Sequence, residues 1–322
     1  IVAHEETKVA HEAEKLAKAA AEQAQKEATQ FFLASRRTVD TLYRELSDSL
    51  SEYPAVQSLR VRLLEEAATE YERLAETRSE VPELKLEAAR SLVRLGEVWR
   101  LLRDFDRATS AFDKAQTQLA EIAKQDPSNR LVGTELVTCL NGQGLTWATT
   151  APLERADGVA DPLIKADQYY KEALIALESV AAKGDEKEPA ESMLLAQLKA
   201  RILANRGSLL GGTDRLDDAL HCLADAEADF RTIAETGGSA ESLNEHAKSL
   251  VELSRILLLK GEADEAKSKL EEAIQVFSRL VVADPDDTQF LSGRADARLS
   301  LANALSGEDV LSARLGVYQE CV

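Results

Sequence analysis

The chain of 322 residues is 44% hydrophobic but only 5% aromatic, with 30% charged residues, 15 Gly and 7 Pro. Ala, Leu, Glu, Lys, Arg and Gln dominate, a mixture that favours helix almost throughout. Its formal charge of −18, from 39 basic and 57 acidic side chains, opposes binding to nucleic acid and to anionic membrane surfaces. Cys139, Cys222 and Cys321 are too few and too scattered for a disulfide framework or a Cys-rich metal site, and they leave the compartment open. No apolar run approaches the roughly 20 residues of a membrane span, and no signal peptide is visible. The chain starts at Ile1 without a methionine and stops at Val322 soon after a helical segment opens, so we expect an excised fragment.

Residues 1–34 have a stalk-like texture. "VAHEETKVAHEAEK" repeats Val-Ala-His-Glu after seven residues, Val2, Val9 and Leu16 keep that step, and Ala13, Ala20 and Ala24 stand between. A seven-residue step suits a coiled-coil seam and offers a route to a dimer, although the seam is alanine-rich and lacks sustained leucines. From 31 to 50 the helix turns more apolar and is expected to dock on the first helix pair. Pro54 and Pro82 bracket a further helix near 55–78, completing a docking region over 35–80.

From Pro82 onward the sequence repeats. Gly96 is followed by Ala108 and Ala115; the same spacing returns as Gly207, Ala219, Ala226 and as Ser254, Ala266, Ala273. Gly144, Ala166, Ala173 keeps the seven-residue step after ten extra residues. Trp99, Trp147, Leu210 and Leu257 stand three after each small anchor, and Phe112, Tyr170, Leu223 and Leu270 four after each first alanine. Asp126-Pro127 and Asp284-Pro285 close two of the repeats. The repeats fall near 82–127, 128–188, 189–238 and 239–285, with a partial one over 286–322 that contains Ala302. Two helices that approach to about 8–10 Å need small side chains at the crossing. Gly96 is thus expected to face Ala108 inside one hairpin, Ala115 to face the next hairpin, and Trp99 and Phe112 to fill the space beside them. Segments 149–162 and 183–189, rich in Pro, Gly and charge, read as loops, the first as a spacer or second contact surface. Thr213 or Asp214 is the expected N-cap before "RLDDAL".

Leu95, Gly96, Trp99, Ala108, Phe112, Ala115 and Pro127 carry a family pattern: L-G-x-x-W, an alanine, an aromatic four on, a second alanine and a closing proline. It resembles the tetratricopeptide (TPR) repeat. Anchor-to-anchor periods of 48, 63, 47 and 48 depart from the 34 of that family. The excess of roughly fourteen residues implies helices near 20 residues, about 30 Å long. The expected fold is therefore all-α, an α-α superhelix of TPR-like hairpins with elongated helices behind a long N-terminal helical stalk.

A second resemblance rests on "FFLASRRTVDTLYRELSD", "LRVRLLEEAATEYERLAE" and "PELKLEAARSLVRLGEVWRLLRDFDRATSAFDKAQTQLAEIAKQDP". This succession, over most of 15–130 and more loosely beyond, resembles the TPR-like region C-terminal to the membrane helix in planctomycete-type bacterial serine/threonine kinases. The resemblance implies a signalling role, with a kinase domain and membrane anchor before Ile1. It also puts this region on the extracytoplasmic side; without it, a cytoplasmic location is expected. The chain itself has no glycine-rich loop before a Lys-bearing strand, no H-R-D and no D-F-G.

Catalytic and ligand motifs are weak. "GSLLGGT" (207–213) has the outline of a phosphate loop but lacks its lysine and follows a helix. His4 and His11 are seven apart rather than four, with Lys8 where a zinc motif needs histidine. His221 and His246 have no Cys/His cluster nearby in sequence, and Cys139 and Cys222 lie in repeat helices where inert buried thiols are expected. No enzyme activity, cofactor or metal is expected.

What the repeats do predict is a surface. The first helix of each TPR-like pair lines a concave face that takes peptides. The register puts Arg90, Arg94, Glu97 and Arg100 there, then Thr138, Asn141 and Leu145, then Arg201, Asn205 and Ser208, then Lys248 and Arg255. That strip suits a protein or peptide partner carrying an acidic segment or C-terminal carboxylate; alternatively, its arginines pair with neighbouring glutamates on a solvated face. The chaperone-binding carboxylate clamp is disfavoured, since Val93 and Glu97 occupy its first lysine and asparagine positions.

Overall fold

A computed structural model describes residues 2–49, 57–76, 81–150, 161–183, 189–213, 215–237 and 239–304. Among the described residues every regular element is a helix and none is a strand. The order is α1 (Val2–Ser49), α2 (Gln57–Ala75), α3 (Pro82–Leu101), α4 (Phe105–Gln125), α5 (Arg130–Thr150) and α6 (Pro162–Ala182). There follow α7 (Pro189–Gly211), α8 (Leu216–Gly237), α9 (Ala240–Lys260), α10 (Ala263–Ala283) and α11 (Thr288–Ala304). Helices α3 to α10 run 20 to 23 residues, the length that the long repeat period demands. The fold class is all-α, of the α-α superhelix type. Of the segments read as loops, 151–160 and 184–188 lie outside the described residues, as do Asp214 and 305–322.

Local chemistry sets the helix ends. Pro82 and Pro162 open α3 and α6 at positions where no backbone donor is needed. The Asp161 side chain accepts from Leu163 N at 3.0 Å, and Ser239 Oγ from Ser242 N at 3.1 Å. The Asp-Pro pairs stop helices because a residue before proline is pushed out of the α region; Asp284 sits at φ −139°, ψ 92°. Each aspartate then folds its side chain back, Asp126 Oδ1 accepting from Ser128 N at 3.2 Å and Asp284 Oδ1 from Asp286 N at 3.3 Å. Asn129 and Asp287 cap the next helices through Val132 N and Phe290 N. The α9–α10 turn places Gly261 in the left-handed region at φ 84°. Arg103, seven residues after Gly96 as Gly261 is seven after Ser254, takes the same conformation at φ 62° in the α3–α4 turn.

The chain divides into two compact units, Ile1–Gln118 and Leu119–Val322. In the first, α1, α2 and α3 pack on one another, and Leu64, Ala68, Tyr71, Ala89, Val93, Val98 and Phe112 are wholly buried. The change of texture near residue 34 does not break α1. What changes is its packing: residues 14–21 and 23–27 are exposed wherever their burial is described, whereas Phe32 and Val39 are buried.

In the second unit each hairpin, α5/α6, α7/α8 and α9/α10, packs on the next, and α11 closes against α10 and α9. The core lies in successive clusters, one with Tyr170 and Ile202, one with Leu223, Ile256 and Leu257, and one with Phe277. The first helices α5, α7, α9 and α11 touch in succession, whereas among the described residues the second helices α6, α8 and α10 do not touch one another. The row is thus tighter on the side of the first helices, which line the inside of its curve. Among the described residues no helix is long and apolar enough to cross a membrane.

Candidate interaction surface

The surface rests on how the first helices are held. A methyl group added at Gly96 would meet Phe112 Cε1 at 2.7 Å; at Gly144, Tyr170 Cε1 at 2.6 Å; at Gly207, Leu223 Cγ at 2.6 Å. The atom nearest each glycine therefore belongs to the bulky residue sixteen or twenty-six positions on, and at Gly207 the carbonyl oxygen of Ala219, the alanine that spacing sets against it, follows at 3.3 Å. The alanines Ala108, Ala115, Ala166, Ala173, Ala219, Ala226, Ala266 and Ala273 are all wholly buried. Ser254, 1% exposed, donates its hydroxyl to Val251 O at 2.7 Å, which lets a polar side chain stand at a small-residue position. Gly293 against Phe277, Gly133 against Val180 and Gly211 against Ile256 are further close approaches.

Trp99 and Trp147 are half-buried, and each carries a cation over its ring. Arg107 lies 4.5 Å from the Trp99 centroid and Lys165 4.0 Å from that of Trp147. Both cations come from the first turn of the second helix. Where leucine replaces tryptophan, at Leu210 and Leu257, the matching positions hold Asp218 and Glu265. The cation follows the indole.

Within the second unit the strip residues meet across helices. Asn205 Nδ2 on α7 donates to Asn141 Oδ1 on α5 at 3.1 Å, and Ser208 Oγ donates to Glu252 Oε2 on α9 at 3.2 Å. Arg255 Nη2 holds the same Glu252 oxygen at 3.0 Å. Lys248 pairs with Glu245 at 3.4 Å, and Arg201 reaches Glu241 only at 3.8 Å, with the glutamate 81% exposed. Thr138 Oγ1 is turned back to Thr134 O, and Leu145 is half-buried beside Asn141. Each cation of this strip faces a glutamate. Such exposed pairs contribute about 0–1 kcal/mol, so an incoming carboxylate can replace them at little cost. In the first unit, Arg90 Nη1 donates to Glu87 Oε1 and Arg94 Nη1 to Glu97 Oε2, both at 2.8 Å. Arg100 is half-buried, and its buried Nε has no hydrogen-bond partner among the described residues.

Sequence reasoning missed three interior ion networks. Arg36 on α1 bridges Asp40 and Glu87, and Asp40 Oδ1 accepts from the Tyr71 hydroxyl at 2.7 Å. Burial, with that hydrogen bond, pushes the Tyr71 phenol well above its ordinary range. Asp167 on α6 receives Arg206 Nε at 2.7 Å, Lys171 Nζ at 2.8 Å and Arg215 Nη1 at 3.0 Å. Burial alone raises the Asp167 carboxyl, but these donors outweigh it and hold its pKa down at about 2. A carboxyl depressed in the fold stabilises above its ordinary pKa and loses that contribution as pH falls through the folded value. Between about pH 4 and pH 2 the second unit should lose about 2 kcal/mol that an Asp167→Asn variant does not lose. Denaturant titrations across that window check it.

The third network joins α8, α9 and α10. Glu227, 3% exposed, takes Arg231 Nη2 at 2.6 Å, stands 3.0 Å from His246 Nε2 and lies 3.8 Å from Lys269 Nζ. Burial opposes ionisation of Glu227, yet His246 and Arg231 bring its pKa to about 2. Glu227, His246 and Glu272 offer three donor atoms within 4.8 Å of one another, a spacing that suits a metal ion. Arg231 and Lys269 already neutralise the central carboxylate, so the arrangement is a compensated ion cluster rather than a cation site. The Glu227–Arg231 spacing of four was visible in sequence; the arrival of His246 from another helix was not.

No protein-family model matches the chain, and a search of curated proteins finds no match. Solved structures do match. BtubC (BKLC) from P. vanneervenii is 16% identical with a TM-score of 0.53, the match covering 81% of this chain and 84% of that one. The S. pombe nuclear import adaptor Nro1 is 14% identical with a TM-score of 0.51, covering 90% and 94%. At these identities the likeness is one of fold.

Proposed function

We propose that the chain is a non-catalytic protein–protein interaction scaffold whose first helices hold a peptide segment of a partner. The observation that carries this reading is the polar strip Asn141–Asn205–Ser208–Glu252–Arg255. It is joined side chain to side chain across α5, α7 and α9 on the inside of the curve. Amide and hydroxyl groups there offer donors and acceptors to an extended backbone, and Arg201, Lys248 and Arg255 offer charge to an acidic segment. The finer form of the proposal follows the second resemblance: the sensor or docking region of a membrane-anchored bacterial serine/threonine kinase. A free-standing adaptor or assembly chaperone is the second reading, favoured by the likeness in fold to a nuclear import adaptor. Reading the encoding gene upstream of Ile1 for a span of about 20 apolar residues and kinase motifs separates the two.

The surface is tested with peptide arrays of graded charge. Acidic peptides should bind in preference to basic ones. Reversal to Glu at Arg201, Lys248 and Arg255 together should weaken the best binder about tenfold or more, roughly 1.4 kcal/mol. Lys267→Glu on α10 should leave it unchanged. Equal binding by the triple variant excludes this strip; preference for basic peptides overturns the charge reading.

A further inference from the structure

Helix α1 carries an apolar face that its own unit leaves uncovered. Leu16 and Phe31 are 72% and 70% exposed, with exposed Ala20 and Ala24 between them. Steps of four, four and seven residues place all four on one face. Phe32 and Val39, which are buried, mark a different face about 100° away. The uncovered face continues through Ala34, Thr38 and Thr41, all exposed and none bulky. A long helix owes most of its stability to packing of such a face, and among the described residues nothing in the first unit supplies it here.

We propose that this face pairs antiparallel with the same face of a second copy, Leu16 of each lying against Phe31 of the other. Three observations favour that occupant and that direction. Glu27 lies on the same face, where Gln23 Nε2 donates to it at 2.7 Å. A parallel pair sets Glu27 against its own copy across a low-dielectric seam, whereas an antiparallel pair centred between Gln23 and Ala24 sets it against Ala20. The two flanks of the face also differ. Ala17 and Ala21 lie to one side, and Gln23, Lys26 and Gln30 to the other. Like flanks meet only in an antiparallel pair, which lets alanine pack on alanine at an axis separation near the lower limit of about 8 Å. Finally, the overlap of residues 6–41 is about 54 Å long and about 10 Å wide, roughly 1,100 Å² over both copies. That just clears the roughly 1,000 Å² of a specific interface, so the dimer is concentration-dependent rather than obligate. The inference goes beyond the scaffold reading and does not use the concave strip, so peptide binding can fail without touching it.

Sedimentation equilibrium should give a monomer–dimer equilibrium. Leu16→Glu and Phe31→Glu should each shift it to monomer while leaving the helical melt of the second unit, which takes no part in the pairing, unchanged. Direction is read by cross-linking in a Cys321→Ser background, where Cys139 and Cys222 are buried out of reach. Under mild oxidation a mixture of Leu16→Cys and Phe31→Cys chains should form a disulfide-linked dimer, and neither variant alone should. A linked dimer from either variant alone, a monomer at every concentration, or a dimer indifferent to Leu16→Glu overturns the proposal.

Discussion

Replacing Gly207 with leucine should destabilise the second unit by about 2 kcal/mol or more. The first added carbon alone falls 2.6 Å from Leu223 Cγ and 3.3 Å from the Ala219 carbonyl oxygen. Leu223 is wholly buried and the carbonyl belongs to the α8 backbone, so neither can yield without moving a helix. The gain of about 0.8–1 kcal/mol in helix propensity on losing a glycine does not offset that clash. Glu241→Ala, on an 81% exposed side chain, should cost under about 0.5 kcal/mol. Repeat arrays need not unfold in one step, so amide exchange on α7 and α8 is the measurement of choice. Equal protection in the two variants would falsify the register.

Removal of a buried carboxylate should cost as much or more. Glu227→Ala leaves His246, Arg231 and Lys269 gathered around an empty centre, and breaking such a pair from one side costs about 3–5 kcal/mol. Arg231 is 44% exposed and can turn to water, which places the expected loss near the lower end. Glu227→Gln keeps the shape and an acceptor for the imidazole and should cost less. The same exchange and denaturation measurements should rank wild type above Glu227→Gln above Glu227→Ala. A Glu227→Ala chain as stable as wild type would mean the cluster is replaceable by solvent.

The helices and their pairing were legible because they follow from local rules. Glycine or serine followed by alanines in a repeating frame marks close approach within one hairpin, and Asp-Pro marks a stop within a turn of chain. The partner of each glycine was harder. Spacing pointed Gly96 to Ala108, while the structure lays the Phe112 ring on it, because a flat ring fills the notch that a missing side chain leaves. At the surface, register located Asn141 and Asn205 on adjoining helices but could not show that their amides bond to each other. Nor could it show that Ser208 and Arg255 share Glu252. The networks of Asp167 and Glu227 were illegible for the same reason. His246 stands 19 residues from Glu227, and Arg206 and Arg215 stand 39 and 48 from Asp167, distances at which sequence spacing no longer implies proximity.

The Asp167 and Glu227 networks also bear on assembly. The apolar contacts between hairpins are built from interchangeable parts, a notch and a bulky side chain, and taken alone they would let one hairpin accept almost any other. The charged joints are not interchangeable: Asp167 meets Arg206 between the α5/α6 and α7/α8 hairpins, and Glu227 meets His246 between α7/α8 and α9/α10. A chain with its hairpins permuted would keep its greasy contacts yet strand an acid at each of these two seams. The order of modules is thus written in a lock-and-key of ions, and a shuffled array should misassemble even though every module is intact.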